Sequence, residues 1–134
     1  MEFDRLLKLA VEKGASDIFI TAGKPPALKI NGKLFNAGKN DLTAEQAGEV
    51  VLSIMDADQR AHYQKDRECN FAITSPGLGR FRVSAFYQRN LPGMVLRRIE
   101  TNIPRIEDLG LPPIIEELAM TKRGLIIFVG ATGT

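Results

Sequence analysis

The feature that most constrains the fold is the regular alternation of apolar and polar side chains in residues 79–88. Successive side chains of a β-strand point to opposite faces of a sheet, so such a segment is buried on one face only. The apolar set consists of Phe81, Val83 and Ala85, and the polar set of Arg80, Arg82 and Ser84. One-sided burial is typical of antiparallel sheets, and the segment therefore predicts a sheet with one covered and one open face.

Patterns before and after this segment predict further helices and strands, which together indicate a fold class. Residues 3–11 carry apolar side chains at helical spacing. Thr43 with Gln46, and Asp56 with Gln59, form capping-box patterns that predict the starts of two further helices. The predicted strands cover residues 17–21, 27–30, 33–35, 70–74, 79–88 and 94–99, with the last two joined by a turn at 90–93. This order predicts an α+β domain with a mainly antiparallel sheet and helices packed on one face.

A composition change after residue 100 indicates a domain boundary. Residues 101–112 contain two prolines, a glycine and no sustained period, which is typical of a linker. A helix is predicted over residues 112–120, and the all-apolar run 125–129 predicts a strand buried on both faces, as in a parallel α/β sheet. We therefore expect a first domain over 1–103, a linker over 104–112 and the start of a second domain over 113–134.

The predicted buried strand is followed directly by Gly130, Ala131, Thr132, Gly133 and Thr134. These residues match the first five positions of the phosphate-binding loop pattern G-x-x-x-x-G-K-[ST]. Small residues there let backbone N–H groups converge on a phosphate at a helix N-terminus. The five residues alone fit either a partial Walker A loop or an ordinary glycine turn.

Positive charge is concentrated in residues 75–105, where six arginines, no lysine and one acid give a local net charge of +5, against +2 for the whole chain. Alternation in the predicted strand 94–99 places Arg97 on one face and Arg98 on the other. The guanidinium group offers a planar fork of donors that matches phosphate or carboxylate. The cluster therefore indicates phosphate binding or structural ion pairs.

The remaining composition excludes several kinds of site. The chain has one cysteine and one histidine, so it can form neither an intrachain disulfide nor a cysteine-rich zinc site. We expect His62 to lie on the surface, Cys69 to pack as a small buried side chain, and Asp17 to cap or anchor a turn. The longest apolar run has five residues, far below the about 20 needed to span a membrane. The N-terminal MEFDRLLK lacks a signal-peptide layout, and a cytoplasmic protein is expected.

Four segments resemble one known family. They are residues 14–23 (GASDIFITAG) with Pro25 and Pro26, residues 79–86 (GRFRVSAF), residues 95–99 (VLRRI) and residues 122–133 (KRGLIIFVGATG). In this order they are similar to the type IV pilus retraction ATPases, the PilT/PilU family. Residues 70–73 (NFAI) and 86–90 (FYQRN) are most similar to its PilU branch. The resemblance covers essentially the whole chain.

The resemblance implies a PAS-like N-terminal domain followed by the first helix and strand of a RecA-like ATPase domain. It implies a hexameric motor that hydrolyses ATP with Mg²⁺ to retract pili and drive twitching motility. Implied partners are further copies of the chain, a paralogous retraction ATPase and an inner-membrane platform protein, with no nucleic acid. The implied location is cytoplasmic, peripheral at the inner-membrane base of the pilus machine.

The resemblance also implies roles for individual residues. Arg82 and Arg97 match arginines that reach the nucleotide phosphates, with Arg80 and Arg98 as secondary candidates, and residues 130–134 match part of the Walker A loop. No residue of the chain matches the family's Walker B or catalytic acids, and no metal ligand is expected within it. The 134 residues alone are therefore expected to lack ATPase activity.

Two other function classes remain open at this point. A stand-alone PAS-like sensor, ligand-binding or interaction module would place the last strand in its own sheet, and a tightly bound small ligand would favour it. A nucleic-acid-binding module would use the arginine segment. That class is disfavoured, because the net charge is only +2 and the two tyrosines form no stacking array.

Overall fold

The computed structural model of the chain describes residues 3–130. The chain divides into two compact units, Met1–Thr101 and Asn102–Thr134. The first unit contains, in chain order, α1 (Phe3–Glu12), β1 (Asp17–Thr21), β2 (Ala27–Ile30), β3 (Lys33–Asn36), α2 (Ala44–Ser53), α3 (Ala57–Asp66), β4 (Glu68–Ser75), β5 (Gly79–Gln88) and β6 (Leu91–Ile99). The α+β class is thereby confirmed, whereas the assignment of the two units to PAS-like and RecA-like domains stays a prediction.

All six strands form one antiparallel sheet in the order β3-β2-β1-β6-β5-β4. The first and last strands of the unit, β1 and β6, lie side by side at its centre. The covered face carries the apolar residues of the alternating strands, including Phe81, Val83 and Leu96, all fully buried. Helix α1 adds Leu6, Leu7 and Ala10 to this core, and α2 adds Ala47 and Val51. The opposite face is left open, which is the arrangement that the alternation in residues 79–88 predicts.

Both predicted capping boxes are confirmed. The Thr43 hydroxyl accepts from the Gln46 backbone N–H, and the Gln46 side chain accepts from the Thr43 backbone N–H. Asp56 and Gln59 make the same reciprocal pair at the start of α3. Each box satisfies backbone donors that the first helical turn leaves without partners, so both helix starts are fixed locally.

The predicted turn at residues 90–93 is wrong. The chain reverses at Arg89 and Asn90, both with positive φ (51° and 63°), and β6 already begins at Leu91. Two consecutive positive φ angles are those of a type I′ turn, whose twist matches that of the flanking strands. Pro92 and Gly93 therefore lie inside β6, opposite Tyr87 and Phe86. A side chain at position 93 would be tightly confined, because an added Cβ would lie 3.1 Å from the Ile20 carbonyl oxygen and its neighbours would have to shift by a few tenths of an ångström.

The second unit contains a 3₁₀ helix (Ile106–Leu109) and α4 (Ile114–Ala119), shorter than the helix predicted over residues 112–120. Residues 125–129 form no strand, and Val129 is 94% exposed, whereas the sequence predicts a strand buried on both faces there. A strand requires a neighbouring strand for its backbone hydrogen bonds. The described residues of this unit contain no other extended segment that could pair with residues 125–129.

Candidate functional site

The candidate arginines of β5 and β6 meet on the open face of the sheet. Arg82 lies directly opposite Arg97 in the register of the two strands. On its other side Arg97 lies opposite Asp17 of β1, and Asp17 lies opposite Lys29 of β2. Side chains directly opposite each other in an antiparallel pair are within contact distance. One row across the sheet therefore carries three cationic groups and a single carboxylate.

Asp17 is the central group of this row. Its Oδ1 accepts a hydrogen bond of 2.9 Å from Arg97 Nε, and its Oδ2 accepts one of 2.8 Å from the Ser16 hydroxyl. The Asp17 side chain is 6% exposed, whereas that of Arg97 is 72% exposed. The carboxylate of this ion pair is thus buried, and most of the Arg97 side chain extends into solvent.

Two opposing influences set the pKa of Asp17. Burial raises the pKa, because a desolvated carboxylate is disfavoured. The hydrogen bonds from Arg97 and Ser16 and the positive charges of Arg97 and Lys29 lower the pKa. The lowering influences prevail, so the pKa of Asp17 lies below its ordinary value of 3.8 and the group is ionised at neutral pH.

This pKa predicts how acid affects the fold. The unfolded chain binds a proton at Asp17 near pH 3.8, whereas the folded chain binds it only at lower pH. The stabilisation from the ionised pair is therefore complete above pH 3.8 and is lost as the pH falls through the folded-state pKa. We expect the free energy of unfolding, measured by urea titration at successive pH values, to fall less steeply with acid in D17N than in the wild type. Equal slopes below pH 3.8 would contradict this.

Arg82 and Arg97 line an open concavity of about 340 Å³. Asn70, Ser84 and Val95 complete its wall together with Asp17. The Arg82 side chain is exposed and, among residues 3–130, makes no hydrogen bond or ion pair. Two exposed guanidinium groups on adjacent strands can bind one anion from two sides. The arrangement suits a phosphate group better than an apolar ligand.

The two secondary candidates lie in different places. Arg80 is exposed on the same open face, at the strand end opposite Ile99. Arg98 lies opposite Phe81, on the covered face, and is half-buried. The structure therefore brings Arg80, Arg82 and Arg97 to one face and directs Arg98 to the other.

The glycine-rich segment is only partly described. Gly130 is exposed and belongs to no helix or strand. Ala131, Thr132, Gly133 and Thr134, the rest of the predicted partial Walker A loop, lie outside the described residues. The phosphate-binding role of this loop stays a prediction.

Residues 3–130 contain no cluster of histidine, cysteine, aspartate or glutamate that could hold a metal ion. Cys69 is buried, and burial followed by the charge of Asp56 raises the pKa of its thiol. His62 is exposed on α3, where its Nδ1 lies 3.1 Å from an Asp66 carboxylate oxygen. Within the same described range, no helix is long and apolar enough to cross a membrane.

Asp17 is the residue of the candidate site that the sequence does not predict. The sequence predicts that Asp17 caps or anchors a turn at the start of the strand over residues 17–21. In the structure it is the first residue of β1, and its side chain pairs with a candidate arginine 80 positions away. The available signal is its position at the start of a short strand, on the face opposite Ile18 and Ile20. That signal identifies Arg97 as the partner only if β1 is known to pair with β6.

Comparisons with known proteins agree with the resemblance in the sequence. No protein-family model matches the chain. The type IV pilus ATPase PilU of Pseudomonas aeruginosa is 63% identical over all 134 residues, which cover 35% of its length. The type IV pilus retraction ATPase PilT of the same organism is 31% identical over all 134 residues, covering 39% of its length. The crystal structure of the pilus retraction motor PilT with bound ADP matches 99% of this chain and 39% of that chain, with a TM-score of 0.79 and 36% identity.

Proposed function

Since the chain belongs to the family of type IV pilus ATPases that includes PilU and PilT, we propose that its protein hydrolyses ATP to power pilus retraction and twitching motility. The chain spans little more than a third of the length of these relatives, so this activity is proposed for the whole protein. In the proposal the first unit is the part of the motor that presents Arg82 and Arg97 to the nucleotide.

The observation that carries the proposed site is the direct pairing of Arg82 with Arg97 on an exposed sheet face. A single surface arginine is most often solvated, but two in register concentrate positive charge over one concavity. ATP hydrolysis spreads negative charge over the oxygens of the transferred phosphoryl group, and arginine donors stabilise that charge. We assign Arg82 and Arg97 to this role.

The finer parts of the proposal follow the family. Residues 130–134 would contribute backbone N–H groups to the phosphates of ATP. Mg²⁺, when bound with ATP, would neutralise phosphate charge, and the described residues offer it no acidic cluster. The motor would be a hexamer that works with a paralogous retraction ATPase and an inner-membrane platform protein. Its location would be cytoplasmic, at the inner-membrane base of the pilus.

The proposal is tested on the full-length protein. We expect the purified protein to hydrolyse ATP in the presence of Mg²⁺, and we expect its gene to restore twitching to a strain that lacks it. A protein without ATP turnover that instead retains a tightly bound small ligand through purification would contradict the proposal. That outcome would favour the stand-alone sensor module.

A further inference from the structure

Asp17 is the only polar or charged residue buried within residues 3–130. It lies on the open sheet face, where the other polar residues of the row are exposed or half-buried. Burial of a carboxylate carries a desolvation cost, and the Arg97 side chain that pairs with Asp17 is mostly exposed, so stability alone is a poor reason for a carboxylate at this place. We therefore look for the role of Asp17 in the group that its carboxylate binds.

The carboxylate holds one particular atom of Arg97. The bond is made to Nε, the N–H nearest the side-chain stem. A guanidinium has five N–H donors, and the other four belong to the two terminal nitrogens. Among the described residues, no other hydrogen bond from the Arg97 side chain is found, and the side chain is 72% exposed. The two terminal nitrogens of Arg97 are thus available to bind a ligand, while its Nε is held by Asp17.

Asp17 is itself fixed from two sides. The Ser16 hydroxyl holds Oδ2, which leaves Oδ1 directed to Arg97. The flanking strands add rigidity, because Asp17 is paired in register with both Lys29 and Arg97. A side chain anchored in this way loses less conformational freedom when it binds an anion.

We propose that Asp17 is a positioning residue, which anchors Arg97 through Nε so that its two terminal nitrogens face the phosphate beside Arg82. The proposal rests on the proposed function, because it deepens the role given there to Arg97. Asp17 does not touch the nucleotide. Its contribution is to fix the place and orientation of the arginine fork, and the rate of phosphoryl transfer is sensitive to such placement.

Arg82 supplies the matched comparison. It lies in the same concavity, but no carboxylate anchors it in the described part of the chain. If Asp17 acts through Arg97, replacing Asp17 should lower kcat only in proteins that retain Arg97. The loss should be the same whether or not Arg82 is present. If Asp17 only stabilised the fold, replacing it should lower kcat equally in the R82A and R97A backgrounds.

The experiment is a pair of double-mutant cycles on the full-length protein, with ATP hydrolysis as the readout. We expect D17A to lower kcat about tenfold, with a smaller change in KM. The same tenfold loss should appear when D17A is added to R82A. Adding D17A to R97A should cause no further loss. D17N should retain more activity than D17A, because its amide oxygen can still accept the Nε–H bond.

Controls separate positioning from folding. D66A removes an acid from an exposed ion pair on α3 and should leave the rate unchanged. Thermal unfolding of D17A, and of D17N, which keeps the size of the side chain, shows whether each variant retains the fold. An equal loss from D17A in the R97A background, or a rate increase in D17A, would overturn the positioning role alone. Full activity in R97A would overturn the phosphate role of Arg97 and the positioning role together.

Discussion

Replacing Arg97 by alanine in the full-length protein is expected to lower kcat for ATP hydrolysis by about 10²–10³-fold. The side chain presents its terminal nitrogens from the open face of the sheet, beside Arg82 and over the concavity that both residues line. Its contribution belongs mainly to the transition state, because charge on the phosphoryl oxygens changes during the reaction. We therefore expect kcat to fall far more than KM rises. Steady-state kinetics on purified protein measures both constants.

Two companion variants sharpen this result. R97K keeps the charge but loses the planar fork and the Nε that Asp17 holds, so it should recover little of the lost rate. R5A removes an exposed arginine from α1, away from the open face, and should hydrolyse ATP at the wild-type rate. If R97A hydrolysed ATP as fast as R5A, Arg97 would have no part in phosphate chemistry.

The largest effect on stability is expected from Tyr63→Ala, at about 3–5 kcal/mol lower free energy of unfolding. Tyr63 is fully buried and is the only buried residue of α3, an otherwise polar helix. Its ring stacks on Tyr87 with a centroid distance of 4.7 Å, and its hydroxyl donates a 3.0 Å hydrogen bond to the Phe86 carbonyl. Alanine would remove all of these contacts at once and leave a cavity between α3 and the sheet.

Graded variants test whether burial is the cause. Tyr63→Phe keeps the ring and loses only the hydroxyl, so it should cost about 1 kcal/mol. Phe35→Ala removes an aromatic ring from a residue of β3 that is 51% exposed. It should change the free energy of unfolding by about 0.5 kcal/mol or less. Urea unfolding of the 134-residue chain followed by circular dichroism gives all three values. A Tyr63→Ala variant as stable as Phe35→Ala would show that α3 does not depend on its one buried side chain.

The parts of this fold that the sequence predicts are those that depend on neighbouring residues. Alternation assigns Phe81 and Arg82 to opposite faces, and Thr43 and Asp56 begin helices through partners three positions away. The sequence pattern misplaces the turn between β5 and β6, because Pro92 and Gly93 are strong turn residues in general. Here Arg89 and Asn90 make the turn, in a conformation set by the twist of the two strands.

The candidate site could be predicted only in part, for a different physical reason. The pattern of residues 79–99 predicts the faces of Arg82, Arg97 and Arg98. The register that sets Arg82 against Arg97, and Arg97 against Asp17, depends on strand pairing. The Asp17 pairing joins residues 80 positions apart, and no local preference encodes such a contact. The same limit affects residues 125–129, whose composition suits a buried strand although no strand within residues 3–130 pairs with them.

The central position of β1 beside β6 also determines when this sheet can be completed during synthesis. Strands β1 to β3 leave the ribosome early, but β1 gains its central neighbour only after β6, which ends at Ile99, has emerged. Until then the early strands and the first two helices have an incomplete core, and chaperones could bind their apolar faces. Since no strand of the sheet lies beyond Ile99 in the described residues, the sheet can close before the residues after Ile99 are made. The Asp17–Arg97 contact would then form in one of the last folding steps of the first unit.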